Sequence, residues 1–175
     1  MHEGNRLNWD IRPATLRDVP AIAAILRGLG WLALMNNEPA TDTEERITHH
    51  LRMCLADESH TVLVGESAED AILGYVAVHW LPYLILSGPE GYVSELFVSN
   101  SARGIGIGTQ LLKAVEAMAV SRGCFRLMLL NRKTRESYER GFYRRLGWEE
   151  REEFANFVLH LRGRNRRSPR RPDVR

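Results

Sequence analysis

Residues 92–112 constrain this chain most. Residues 92–98, Tyr-Val-Ser-Glu-Leu-Phe-Val, are rich in aromatic and β-branched side chains and predict a strand. A short polar turn follows at residues 99–102. Glycine then recurs at every second position, at Gly104, Gly106 and Gly108. From Thr109 the periodicity becomes helical, with Leu111, Leu112, Val115, Met118 and Ala119 on one face. A strand therefore runs through a glycine-rich turn into an amphipathic helix.

That arrangement has a physical use. The first turn of a helix carries backbone N–H groups without internal acceptors, and the macrodipole adds partial positive charge there. Glycines remove the side chains that would keep a phosphate away, and Arg103 adds a fixed positive charge beside them. A pyrophosphate suits such a turn. Dinucleotide-binding folds need Gly-x-Gly-x-x-Gly, and this spacing is Gly-x-Gly-x-Gly. The nucleotide P-loop needs Gly-Lys-Ser/Thr, and Gly108 is followed directly by Thr109. The plain alternative is a flexible turn joining strand to helix.

The stretch resembles the Arg/Gln-x-x-Gly-x-Gly/Ala motif of the GCN5-related N-acetyltransferases, matching at Arg103, Gly106 and Gly108. The preceding Glu-Leu-Phe-Val strand matches as well. Two further stretches are similar to that family. The opening Ile-Arg-Pro-Ala-Thr-x-x-Asp resembles its start. Phe142-Tyr143-Arg144-Arg145-Leu146-Gly147-Trp148 resembles its second signature, with Trp148 in place of a phenylalanine. The resemblance covers roughly residues 9–161. It implies an N-acetyltransferase that moves the acetyl group of acetyl-CoA, as co-substrate, onto an amine.

Length and composition fit one domain with a proper core. The chain has 175 residues and a net charge of +2, so the globule as a whole is no polyanion binder. Cys54 and Cys124 make no disulfide framework and sit in no metal-ligand spacing, so no metal site is expected. No apolar run reaches the ~18 residues of a membrane span, and the N-terminus lacks an apolar signal core. A cytoplasmic protein with no membrane contact is expected. Residues 1–8 are expected to be disordered, residues 9–162 to form the domain, and residues 163–175 to be a disordered arginine-rich tail. The basic end, with Pro169 and Pro172, is read as a solvated tail rather than a nucleic-acid contact.

Within the domain the expected order is strand, helix, helix, three strands, helix, strand, helix, strand. Residues 9–12 form the first strand. Thr15 and Asp18 form a capping-box-like start to a helix whose face is Val19, Ile22, Ala23, Ile25, Leu26 and Leu29. Residues 31–41 are irregular. Asp42 or Thr43 caps a second helix with the stripe Ile47, Leu51, Cys54 and Leu55. Its adjacent His49 and His50 cannot converge on one ligand. Residues 61–66 and 72–80 form a hairpin, in which Gly74 marks a bulge or a close backbone approach. Residues 82–91 form a loop whose Tyr83, Leu84, Ile85 and Leu86 either wall an acceptor pocket or fold into the core. Residues 125–130 read as a strand buried on both faces. A helix over 136–146 carries Tyr138, Phe142 and Leu146 as its stripe and ends at Gly147. Residues 154–161 form the last strand. The fold class is α/β (α+β): a central mixed, mostly antiparallel sheet flanked by about four helices.

The resemblance assigns roles. Backbone groups of Leu96, Phe97 and Val98 hold the pantetheine arm, and the Leu96 N–H faces the oxyanion. Arg103, Gly104, Ile105, Gly106, Ile107, Gly108 and Thr109 form the pyrophosphate loop. Tyr143 protonates the departing thiolate and contacts the cofactor; a half-buried packing tyrosine is its plain alternative. The amine's proton needs a base, since an alkylamine has a pKa of about 10. Strict alternation puts Tyr92, Ser94 and Leu96 on one face and Val93, Glu95 and Phe97 on the other. Glu95 serves as base, through a water, only where a bulge turns it in. A solvated or ion-paired glutamate is the alternative role, and His79 is a further candidate base. Glu136 stands where many relatives carry a cofactor-contacting asparagine. The acceptor is a small-molecule or peptide amine, and a homodimer stays open. Two other functions remain: a non-catalytic acyl-CoA-binding module, and a nucleic-acid-associated protein acting through the tail.

Overall fold

A computed structural model describes residues 9–161. The expectations for the two termini lie outside the described residues. Residues up to Arg132 form one compact unit and residues from Lys133 a second.

The first unit is a sheet of five strands in sequence order. These are β1 (Trp9–Pro13), β2 (His60–Ser67), β3 (Ile72–Leu81), β4 (Glu90–Val98) and β5 (Arg126–Leu129). The first three pairings are antiparallel, and β4 pairs β5 in parallel. The order follows from connection length. The Ser67-to-Ala71 turn closes a hairpin, whereas the parallel return from β4 to β5 requires a crossover helix. That crossover is α4 (Ile107–Ser121). The other helices are α1 (Val19–Gly28), the four-residue α2 (Ala33–Asn36) and α3 (Ala40–Cys54).

Helix α4 covers one face of the sheet. Ile107, Leu111, Leu112 and Val115 are at most 1% exposed, over Val76, Val78 and Val93. Gly65 makes the approach close, because a Cβ there would sit 2.5 Å from Ile107 Cδ1. Helices α1 and α3 lie on the other face. Ile22, Ile25, Leu26 and Leu51 pack there with Val62, Val64 and Tyr75. The capping box at Thr15 forms as the sequence predicts. Asp18 is buried and receives both terminal nitrogens of Arg12, which also bonds Glu66. This ion pair ties the start of α1 to β1 and β2.

Several expectations change. Helix α3 begins at Ala40 rather than at Asp42 or Thr43, with Pro39 before its first turn. Thr43 is fully buried and donates to Glu38, so packing rather than capping explains it. Leu55, expected in the stripe, is exposed. Gly74 marks both expected features: a Cβ would stand 2.8 Å from the Phe97 carbonyl, and the ladder with β2 shifts register beside it, Gly65 facing Gly74 and Glu66 facing Ile72. Strand β4 starts at Glu90, which is fully buried and accepts from Arg126 Nε of β5. Strand β5 is half-buried throughout, with Phe125 and Leu130 exposed, and is not buried on both faces. Among the described residues it ends the strand order, with β4 as its one neighbour.

In the second unit the expected helix over 136–146 is broken. Helix α5 (Glu136–Glu139) gives way at Gly141, whose φ of 63° is left-handed, and a 3-10 turn follows at Arg144–Leu146. Gly147 ends that turn in the left-handed region, as predicted for a C-cap. Tyr138 and Arg144 both donate to Glu150, and Lys133 pairs with it. Residues 154–161 form no strand; Phe154, Phe157, Val158, Leu159 and Leu161 are all exposed. High strand propensity does not supply a hydrogen-bonding partner, and a strand needs one.

Candidate active site

Strand β4 departs from strict alternation. Glu95 pairs with Ala77 and Val93 with Val78, so Ser94 is an extra residue bulged out of the ladder. Directly paired residues of antiparallel strands share a face. Tyr92, Glu95 and Phe97 therefore lie with Tyr75, Ala77 and His79, on the side of α1 and α3. Val93 and Leu96 lie with Val76 and Val78, under α4. The bulge corrects the regular pattern and brings Glu95 onto the face that carries Tyr92 and His79.

On that face Tyr75 donates to Glu95 Oε2 at 2.5 Å. Burial, and then the charge of Glu95, hold the Tyr75 hydroxyl far above its ordinary range, so it stays a proton donor. Phe97 contacts Tyr75 and Trp31, each with ring centroids 5.9 Å apart. An aromatic wall thus adjoins an exposed carboxylate. Cys54, at the end of α3, packs against the same cluster as Phe97, and burial, then Glu95, raises its thiol. His79 Nε2 lies 2.9 Å from Ser94 Oγ, and its ring stands 6.1 Å from Tyr92. In the loop after β3, Leu84 and Ile85 are almost wholly exposed, which rules out the core role for them.

The ladder between β4 and β5 stops at Val93 and Leu129. Beyond it, residues 94–98 have a β4 edge that β5 does not pair, and Leu96, Phe97 and Val98 lie along it. This edge suits a strand-like polar ligand arm. A 3-10 turn at Asn100–Ala102 leads on to Arg103 and the glycines. Gly104 and Gly106 have φ of 81° and 98°, with open space where a Cβ would be. Gly106 is the N-cap of α4 in the left-handed region, so the helix starts two residues before the predicted Thr109. Ile107, Gly108 and Thr109 open the helix, where geometry leaves N–H groups without internal acceptors. The donor set is right for a phosphate group. The fold thus brings Glu95, Leu96, Phe97, Val98, His79 and the 103–109 loop into one contiguous region. Tyr143 belongs to the second unit. There it contacts Phe142 and Trp148, with centroids 5.0 and 6.0 Å away, and burial raises its hydroxyl above the ordinary range.

Sequence reasoning missed Tyr75, Trp31, Ser59 and His60. The pairing of Tyr75 with Phe97 and of His60 with His79 depends on two register shifts, one beside Gly74, which the glycine signals, and one at Ser94, which no local pattern announces.

A parallel crossover thus enters α4 at a glycine-lined helix start, beside a strand that parts from its neighbour. The sequence profile of the acetyltransferase (GNAT) family matches residues 27–148. The chain belongs to that family and is an N-acetyltransferase. It is 29% identical over 147 residues to the L-methionine sulfoximine/L-methionine sulfone acetyltransferase of Pseudomonas paraeruginosa, covering 82% of this chain and 81% of that one. It is also 29% identical to the aminoglycoside N(6')-acetyltransferase type 1 of Stenotrophomonas maltophilia, over 86% of this chain and 93% of that one. Among solved structures, a transcriptional regulator from Bacillus halodurans C-125 shares the fold, with a TM-score of 0.77 at 23% identity, covering 88% of this chain and all of that one. No helix among the described residues is long and apolar enough to cross a membrane.

Proposed function

We propose that the protein acetylates the amine of a small, amino-acid-like molecule, using acetyl-CoA as co-substrate. The observation that carries this is the unpaired β4 edge running directly into the glycine-lined start of α4. Backbone groups of Leu96, Phe97 and Val98 bind the pantetheine arm, and the N–H groups of residues 104–109 with Arg103 bind the pyrophosphate. The exposed Glu95 draws the acceptor ammonium and takes its proton through a water. The amine attacks the thioester carbon, and the Leu96 N–H stabilises the oxyanion. The C–S bond breaks as Tyr143 protonates the thiolate. The aromatic wall of Trp31 and Phe97 favours an acceptor with an apolar stem. Names of the similar relatives favour small amines over peptides. The setting is cytoplasmic, where acetyl-CoA is available.

The test is free-thiol release from acetyl-CoA across amino acids, methionine sulfoximine, thialysine, aminoglycosides and short peptides. Amino acids or their analogues are expected to turn over best. Acetyl-CoA is expected to raise the Tm, and Gly108→Val to abolish that rise by placing a side chain against the phosphate. Gly108 is helical, so the substitution adds bulk without forcing a left-handed backbone. Binding without turnover of any amine would reduce the protein to an acyl-CoA-binding module.

A further inference from the structure

Packing alone does not explain Tyr75. Its residue is 2% exposed and belongs to the buried cluster of Ile22, Leu26, Val62 and Val64. Its hydroxyl nevertheless ends at the water boundary, donating to Oε2 of the exposed Glu95. The two residues are diagonal neighbours on the β3–β4 ladder, because Tyr75 faces Phe97 and Ala77 faces Glu95. A diagonal step is within reach of a long aromatic side chain. Ala77, directly opposite Glu95, is too small to hold the carboxylate itself. The Phe97 ring, 5.9 Å from the Tyr75 ring, supports the tyrosine on the side of its direct partner.

The bond runs in one direction. Burial first, and then Glu95 through its charge and hydrogen bond, keep the Tyr75 hydroxyl protonated far beyond its ordinary range. It therefore donates at every working pH and cannot itself take the amine's proton. An ionised carboxylate offers about four lone-pair sites on two oxygens. Tyr75 engages Oε2 and leaves Oε1 for the acceptor. Among the described residues no cation forms an ion pair with Glu95, so the tyrosine hydroxyl is what orients it.

We infer that Tyr75 is a positioning residue for acetyl transfer: its hydroxyl holds Glu95 Oε2 and thereby presents Oε1 to the acceptor amine. The inference rests on the base role proposed above for Glu95. Its size follows from rotamer counting. An exposed glutamate freed from its partner turns about its side-chain bonds, and each sp3 torsion has three staggered wells. Releasing two torsions dilutes the productive orientation by about ninefold.

The test is Tyr75→Phe, alone and combined with Glu95→Gln. Phenylalanine keeps the ring in the cluster, and water replaces the hydroxyl at the exposed carboxylate, so Tm should stay near wild type. At neutral pH kcat is expected to fall about tenfold, with KM for acetyl-CoA and for the amine little changed. In the Glu95→Gln background Tyr75→Phe should cost nothing further, because the hydroxyl then has no base to orient. Full kcat in Tyr75→Phe would overturn the inference. So would the same tenfold loss repeated in the Glu95→Gln background, since Tyr75 would then act independently of Glu95.

The bond is also read without turnover. The carbon NMR resonance of the Glu95 side-chain carboxyl is expected to move in Tyr75→Phe, and an unmoved resonance would overturn the inference. Glu95→Gln by itself separates the two ideas. If it leaves kcat intact, the base role falls and the positioning role with it. If it lowers kcat while Tyr75→Phe does not, the positioning role alone falls.

Discussion

The two faces of β4 are held by different physics. Under α4, Val93 and its β3 neighbours Val76 and Val78 meet aliphatic side chains that exclude water almost completely. On the other face Tyr92, Glu95, Phe97, Tyr75 and His79 meet α1 and α3 only in part, and polar atoms there find one another or solvent. The first face supplies stability through burial, worth about 25 cal/mol per Å2 of apolar surface. The second gives up part of that burial and gains reactive groups at a water boundary. Because Ser94 bulges out of the ladder instead of pairing, Glu95 and Phe97 fall on the same face as Tyr92.

The comparison breaks most severely from the packed side. Leu111→Ala empties a site with no exposure at all and is expected to cost about 3–5 kcal/mol of stability, seen as a lower denaturant midpoint. Activity per folded molecule should stay normal, since α4's buried side touches no substrate. If kcat falls with the core intact, the two faces are not independent.

Glu95→Gln is the converse change. The rate is expected to fall about 10²–10⁴-fold at neutral pH with little change in Tm. The loss should shrink as pH approaches the amine's own pKa of about 10, where free amine is plentiful. A pH-independent loss would assign Glu95 to acceptor binding alone. Tyr143→Phe, measured alongside, should lower kcat on the same scale while leaving acetyl-CoA affinity unchanged. Near-normal turnover would reduce that tyrosine to packing.

Deleting Ser94 sharpens the comparison further. All the observed β3–β4 pairings on either side survive the deletion, because Ser94 is the residue without a partner. The domain should fold with each face keeping its side chains. Activity is expected to fall about 10²-fold, as the strand loses its local bend and His79 its hydroxyl partner. Unchanged activity would show that the bulge matters only for register.

The smallest effect concerns how the half-covered face keeps its cover. Arg12→Met leaves the buried Asp18 without its cation and is expected to cost about 1–3 kcal/mol at neutral pH, allowing for Arg12's partial exposure. Burial works against the Asp18 carboxylate, but Arg12 and Thr15 outweigh it and hold its pKa below the usual value. That stabilisation is present above the ordinary carboxylate range and is lost as pH falls through the depressed value. The difference between wild type and variant should therefore vanish in acid, as followed by Tm against pH.

Much of this was legible in the sequence because it is local. The helical stripe from Leu111 to Ala119, the Thr15 and Asp18 capping box, the Ser67-to-Ala71 hairpin and the glycines before α4 each depend on residues a few positions apart. Backbone sterics and side-chain periodicity determine them without reference to the rest of the chain. Even the left-handed Gly106 and Gly147 follow this rule, since only a residue without Cβ enters that region at low cost.

What required tertiary structure was every question of pairing. Glu95 faces the site because β3 offers one residue where β4 presents two, and neither strand records that count by itself. Tyr75 reaches Glu95, and His60 meets His79, across twenty and nineteen positions of chain. Gly141 lies among residues that favour a helix, yet the backbone turns left-handed there. Residues 154–161 have strand composition and no ladder, since propensity is a property of a segment and a hydrogen-bonded edge is a property of two. Local sequence determined most of the elements and the glycine-rich turn; the register between strands, set by packing and hydrogen bonding over the whole sheet, decided which groups stand together on each face.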